Sequence, residues 1–413
     1  MKRSFVLVAS ALLLGLLFIG ALAGCGGEAT TTTVASEPTT TTGAVSTDTT
    51  TAGDTGVDYP NIIFSTLKGL GKGEVDAEAW RNSEAGQKMI EENRNTFLYK
   101  NEMDPAVLAY WDSLGMKKEM HDADDPLLKW ASYTPVKALA ADTTTVYPVV
   151  FDFVGGEKLI FSAEAHGIAH LGAKEGYITI CPSNPVSMGL GGAATDLTPG
   201  GQVVRILDAL EAGGYAIDRS RVYVAGMSAG GVASAKAGLE FPEVITAIAM
   251  HSSLAVLNTA QDQSAGSIPF FTPASDYTKA MDYGVPMLAV AGDHDFAQLP
   301  IKTEGIIGGL NLWLQVNDCP TQLTLEDSLA AQASSTDEAV KAIGVVGDKM
   351  WTEPILGIVH HGAEFFRADG VKMVEIVCVT DLPHWPSPGF AELAWDFMSR
   401  FSKDTDGKLI VAQ

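Results

Sequence analysis

Gly226-Met227-Ser228-Ala229-Gly230 places a hydroxyl between two glycines at the spacing G-x-S-x-G. A serine hydroxyl is a poor nucleophile at neutral pH. It needs an adjacent base, and the base needs a third group to orient it. Imidazole, with an ordinary pKa of about 6.5, can take the proton and later return it to a leaving group. A carboxylate then fixes the tautomer of the ring and stabilises its cation. Both types lie downstream, in Asp293-His294-Asp295 and in Leu382-Pro383-His384-Trp385-Pro386. The chemistry they imply is acyl transfer through a covalent serine intermediate, with the backbone N–H of Ala229 facing the developing oxyanion.

The remaining polar constellations are weaker. His166 and His170 are four apart in a run that predicts a helix over 164–174, which would put them on one face, but no Glu completes a zinc-protease arrangement. His360-His361 precede Gly362 and read as turn or surface residues of a hairpin. His251 follows a strand-like run near the serine and reads either as a residue lining the pocket or as a buried, hydrogen-bonded histidine. Gly189-Leu190-Gly191-Gly192 lacks the Lys-Ser/Thr of a phosphate loop. Asp293, His294 and Asp295 are too compact to form a metal site alone. No metal and no cofactor is therefore expected.

The elements that must position the serine are legible around it. Arg221-Val222-Tyr223-Val224-Ala225 is a β-branched run leading in, and Gly231-Val232-Ala233-Ser234-Ala235 leads out as a helix of small residues. Farther along, strand-like runs (146–153, 177–181, 222–225, 245–250, 285–291, 371–379) alternate with helix-like ones (164–174, 202–212, 230–239, 305–316). A helix over 390–401 closes the series. This alternation predicts an α/β fold, a mostly parallel sheet with flanking helices, over residues 130–403, followed by a tail at 404–413. Residues 58–129 read as a helical N-terminal extension, with Asp104-Pro105 starting one helix.

The start of the chain has a different character. Lys2 and Arg3 precede a nearly unbroken apolar run from Phe5 to Leu22, closed by Leu22-Ala23-Gly24-Cys25. That is the pattern of a secretory signal over residues 1–25, and its last four residues resemble a bacterial lipobox. Cys25 is thus the expected lipidation site, holding the protein at the outside of a bacterial membrane. Residues 26–57 are dominated by Thr, without apolar periodicity, and read as a disordered tether. An exported compartment permits a disulfide. Of the remaining cysteines, Cys181 sits in a strand-like run and reads as a buried thiol, leaving Cys319 and Cys378 as the candidate bridge. The net charge of −23 argues against nucleic acid or an anionic membrane face as partner, since both would be repelled.

The block from Ile217 to Gly231 resembles the polyhydroxybutyrate depolymerase and feruloyl esterase group of α/β hydrolases. Glu175-Gly176-Tyr177 leading to Pro182, and Leu312-Trp313 followed by Asn317-Asp318-Cys319, are similar to that group as well. The resemblance covers roughly residues 133–401. It implies the α/β-hydrolase fold and hydrolysis of a carboxylic ester, in a small molecule or a polymer, by a triad in the order Ser228, Asp295, His384. Asp295 stands three positions after Gly292, where the family carries its acid; Asp293 is the alternative. Gly155 or Gly156 would supply the second oxyanion N–H, although Val154 stands where the family has His. Trp385 directly follows His384, where family members often have a residue between, and is the expected substrate-stacking residue. A serine peptidase of the same fold, and a catalytically silent surface binding lipoprotein on a hydrolase scaffold, are the competing expectations.

Overall fold

The computed structural model describes residues 103, 105–121, 129–140, 144–153, 155, 163–164, 166–182, 198–257, 277–295, 299–355, 358–382, 384–387 and 389–411. The expected signal, the expected lipidation site Cys25, the expected tether, Val154 and Gly156 lie outside the described residues. Twelve strands are described. They are β1 (Met116–His121), β2 (Trp130–Pro135), β3 (Tyr147–Phe153), β4 (Ile178–Pro182), β5 (Ile217–Met227), β6 (Ala247–His251), β7 (Met287–Gly292), β8 (Lys349–Ile355), β9 (Ile358–Phe366), β10 (Lys372–Val379), β11 (Phe401–Lys403) and β12 (Leu409–Val411).

Ten of them form one sheet in the order β1-β2-β4-β3-β5-β6-β7-β10-β9-β8. The central strands β4, β3, β5, β6, β7 and β10 run parallel. The flanking pairs β1·β2, β2·β4, β9·β10 and β8·β9 are antiparallel. Parallel strands covered on both faces read as continuous apolar runs. Val149–Phe153, Val222–Met227 and Met287–Gly292 are accordingly buried throughout.

Helices Pro199–Ala212, Ala229–Glu240 and Glu304–Val316 belong to one flanking group, and Ile168–Glu175 and Phe390–Met398 to the other. Local chemistry starts them. Thr198 caps the first by accepting from the Gly201 N–H at 3.1 Å, with Pro199 at its first position. Its Gly200 N–H donates to Glu240 Oε2 at 2.9 Å, which places a carboxylate at a helix N-terminus. Helix Ala229–Glu240 is buried on nearly every face, and its small residues let it lie close against the sheet.

Three expectations change. The region expected to be a helical extension contains helix Pro105–Ser113, but Met116–His121 is strand β1 at the sheet edge. Its Lys118 is buried beside Glu164, so an apolar pattern does not betray the strand. Residues 404–413 are not a plain tail, because β12 pairs with β11. His360 and His361 are not surface residues. They are buried in β9, and their backbones pair with β10 on one side and β8 on the other.

Candidate active site

Ser228 stands between β5 and helix Ala229–Glu240 with φ 57° and ψ −123°, a conformation that L side chains rarely adopt. The glycines around it are steric requirements. A Cβ on Gly226 would stand 2.6 Å from the Gly230 backbone and 2.8 Å from the Phe153 carbonyl. Strand β3 is level with the turn, since Phe153 pairs with Gly226. The first N–H groups of a helix lack intrahelical acceptors, and Ala229 is the first residue of this one.

The backbone of Ser228 is held by the turn that ends β6. Its N–H donates to His251 O at 2.9 Å. Its carbonyl accepts from Ser253 Oγ at 2.6 Å and from the Val232 N–H at 3.1 Å. These bonds hold the strained conformation of the serine.

Asp295 follows β7 and His384 follows β10. His384 Nδ1 donates to Asp295 Oδ1 at 2.8 Å, with side-chain exposures of 10% and 0%. Of the two carboxylates weighed, Asp295 makes this bond. Asp293 is a third exposed and lies 3.8 Å from His294 Nδ1, while burial raises its carboxyl above the usual range. The two turns are joined by backbone. His294 N–H donates to Leu382 O at 3.2 Å, and a Cβ on Gly292 would stand 1.8 Å from that same oxygen. Ser228, Asp295 and His384 thus all follow the C-terminal ends of parallel strands (β5, β7 and β10) of one sheet.

The other expected residues divide. Gly155 is buried just past β3. Trp385 is 5% exposed and packs in the main core cluster, so it offers no stacking face. His251 is no pocket wall. It is 0% exposed, with Nε2 accepting from the Ser387 N–H at 3.2 Å and Nδ1 bonded to Ser252 Oγ at 2.8 Å. Burial, with His166, His384 and His360 adding to it, holds this ring far below its ordinary pKa, so it is neutral.

Cys319 and Cys378, the expected bridge, are instead two free, buried thiols. Cys319 lies beside Asp348 and Arg367, at the end of β9–β10 where Val371 turns back. Cys378 lies near the opposite end, beside Asp293. At about 3.3 Å per strand residue the ends are roughly 20 Å apart, whereas disulfide Cα atoms lie within about 7 Å. Burial pushes the Cys319 thiol up to about 12.

His166 and His170 do not share a helix face. The helix begins only at Ile168, after Gly167 at φ 73°. His166 Nδ1 donates to both Asp152 oxygens at 2.9 Å. His170 instead packs its ring 4.7 Å from Trp111, and burial lowers it to about 3. Glu164, two residues before His166, pairs with Lys118 at 2.7 Å and accepts from Tyr133 Oη at 2.9 Å. No sequence motif marks these pairs, and the only hint of the β6 turn is the polar run His251-Ser252-Ser253 at a strand end. Asp293, His294 and Asp381 bring ligand atoms within 4.8 Å of one another, which the sequence, with Asp381 far downstream, did not suggest.

No family model and no curated protein matches the sequence. Among solved structures, the chain is similar to an acetyl xylan esterase from Aspergillus awamori at 15% identity and a TM-score of 0.44, over 69% of this chain and 98% of that one. It is similar to a ferulic acid esterase at 15% identity and a TM-score of 0.34, over 49% and 87%. It is similar to an acylaminoacyl peptidase from Pyrococcus horikoshii at 15% identity and a TM-score of 0.35, over 52% and 37%. All three scores lie below 0.5. It is the strand order, with a strand–serine–helix elbow at the C-terminal edge of a mostly parallel sheet, that makes this an α/β-hydrolase fold.

Proposed function

We propose that the protein is a serine hydrolase that cleaves carboxylic esters through an acyl-serine intermediate. The observation that carries the proposal is the His384–Asp295 bond at 2.8 Å, past the ends of β10 and β7, beside a sheet whose β5 ends in the strained Ser228. In this scheme Asp295 holds the Nδ1 proton of His384, which leaves Nε2 as the base for the Ser228 hydroxyl. Ser228 Oγ attacks the ester carbonyl, and the oxyanion is held by the N–H of Ala229 with that of Gly155 or Gly156. His384 then protonates the departing alcohol, and a water repeats the sequence to release the acid. Trp385 and His251 take no part in binding substrate.

The test is fluorophosphonate labelling together with hydrolysis of p-nitrophenyl acetate. Both activities belong to Ser228 and disappear in Ser228→Ala; if the variant keeps either, the assignment is wrong. A comparison of matched ester and amide substrates separates an esterase from a peptidase, because a triad does not by itself read the leaving group. Absence of turnover on every simple ester would favour the silent binding scaffold.

We also propose an extracytoplasmic, lipid-anchored location, on the strength of Lys2-Arg3, the apolar run and Cys25. Labelled palmitate is expected to enter the protein and to be absent from Cys25→Ala.

A further inference from the structure

We propose that His251 is a positioning residue that couples the nucleophile to the loop carrying His384, through the turn His251-Ser252-Ser253. This rests on the esterase reading above for its catalytic consequence.

The turn touches all three chain segments that bear the triad. Toward Ser228 it gives two bonds, one to the N–H and one to the carbonyl. Ser253 Oγ also lies 2.7 Å from His251 O, so its single proton is shared between the Ser228 and His251 carbonyls. Toward β7, the Ser252 N–H donates to Val290 O at 2.7 Å, in the strand that ends just before Asp295. Ser252 adopts φ 54° to do this. Toward His384, the ring of His251 accepts from the Ser387 N–H at 3.2 Å, three residues past the base.

The ring chemistry is specific. A nitrogen that accepts from a backbone N–H bears no proton, so the proton of the neutral ring sits on Nδ1 and is donated to Ser252 Oγ. One side chain thus supplies an acceptor at its tip and a donor near its base. Phe390, at the start of the following helix, stands edge-on to the ring at 5.1 Å and closes it off. With no exposure, the ring cannot meet a substrate, and any influence on the reaction passes through Ser228 and His384. An apolar replacement would remove the acceptor that the ring offers the Ser387 N–H, which loosens the tie between the turn and the His384 loop.

The experiment compares His251→Leu, which keeps bulk and removes the acceptor, with His251→Gln, whose amide oxygen reaches the Nε2 position. Four quantities are read: melting temperature, kcat and KM for p-nitrophenyl acetate, and the low-field NMR resonance of the His384 Nδ1 proton. In the folded Leu variant kcat is expected to fall about 10²-fold, as for an ångström-scale misplacement, with KM unchanged and the resonance lost. The Gln variant is expected to restore both. The inference is overturned if the Leu variant keeps wild-type kcat and resonance, or if both variants lose them alike. Should Leu not fold, Gln decides alone: retention of kcat and resonance supports the inference and loss of either overturns it. The resonance needs no substrate, and wild-type turnover with its loss in Ser228→Ala tests the esterase reading separately, so the two can fail independently.

Discussion

Among the described residues two buried imidazole–carboxylate pairs stand out, one past the ends of β7 and β10 and one anchored on Asp152 within β3, and they are nearly the same in bond length. His384 Nδ1 meets Asp295 Oδ1 at 2.8 Å, and His166 Nδ1 meets both Asp152 oxygens at 2.9 Å. They differ in surroundings. The His384 side chain keeps 10% of its exposure and lies on the loop after β10, whereas His166 keeps 1%. The segment of His166 is pinned again by Glu164, which sits between Lys118 and Tyr133. The first pair can present its ring to a reacting molecule. The second closes the chain that leaves β3 and returns to helix Ile168–Glu175. A carboxylate-oriented histidine is thus not in itself a catalytic device; on the proposed reading, the exposure left to His384 is what sets its pair apart.

Substitutions can break or sharpen this contrast. The largest effect is expected at the accessible pair. His384→Ala should lower kcat by about 10⁶, and Asp295→Asn by about 10⁴ through the wrong tautomer, with little change in melting temperature. Steady-state kinetics and calorimetry on the same samples check this.

The buried pair should answer in the opposite way. Asp152→Asn removes one of the two acceptors that Nδ1 of the buried His166 meets and is expected to destabilise by about 1–3 kcal/mol, while kcat per folded molecule drops far less than in Asp295→Asn. Denaturant titration with active-site counting reads both. If Asp152→Asn stops turnover without loss of stability, the two pairs are not different in kind.

Acid separates the regions further. His170, packed on Trp111, and His251 are both held below their ordinary pKa by burial. Such a group binds its proton more readily when unfolded, so its stability contribution is complete above about 6.5 and is lost as pH falls below that value. For His170 the loss continues down to its folded value of about 3. The melting temperature should therefore decline from pH 7 to 4, and the decline should be shallower in His170→Leu. An equal slope in both proteins would remove the buried histidine as a cause.

The smallest effect is expected away from both pairs. Lys349 is largely exposed and reaches Glu364 at 3.0 Å, but Lys372 also holds that carboxylate, at 2.9 Å. Lys349→Ala should change stability by less than about 1 kcal/mol, as read by urea unfolding, with kinetics unaltered.

Legibility in the sequence followed the range of the interactions. The elbow could be read because its requirements are contiguous: β-branched residues into the turn, glycines where a Cβ would strike backbone, small residues out. The central strands could be read because burial on both faces leaves continuous apolar runs. Strands β1 and β8 escaped because Met116–His121 and Lys349–Ile355 carry charge in their runs. The polar residues His360 and His361 hid the burial of β9. Cys319 and Cys378 read as partners from the cysteine count alone and prove to be free, buried thiols, one after helix Glu304–Val316 and one in β10.

By itself the sequence determined that Ser228 sits in a strained strand-to-helix turn, because that turn is built from neighbours whose sterics admit few alternatives. It also narrowed the downstream partners to a few carboxylates and imidazoles. Only the tertiary structure decided which of them meet. Whether His384 faces Asp295 or Asp293, whether His251 faces a pocket or the Ser387 N–H, and whether His166 pairs with His170 or Asp152 depends on how strands distant in the chain are laid side by side. That register is set by the burial of the whole sheet, a collective quantity that no local spacing records.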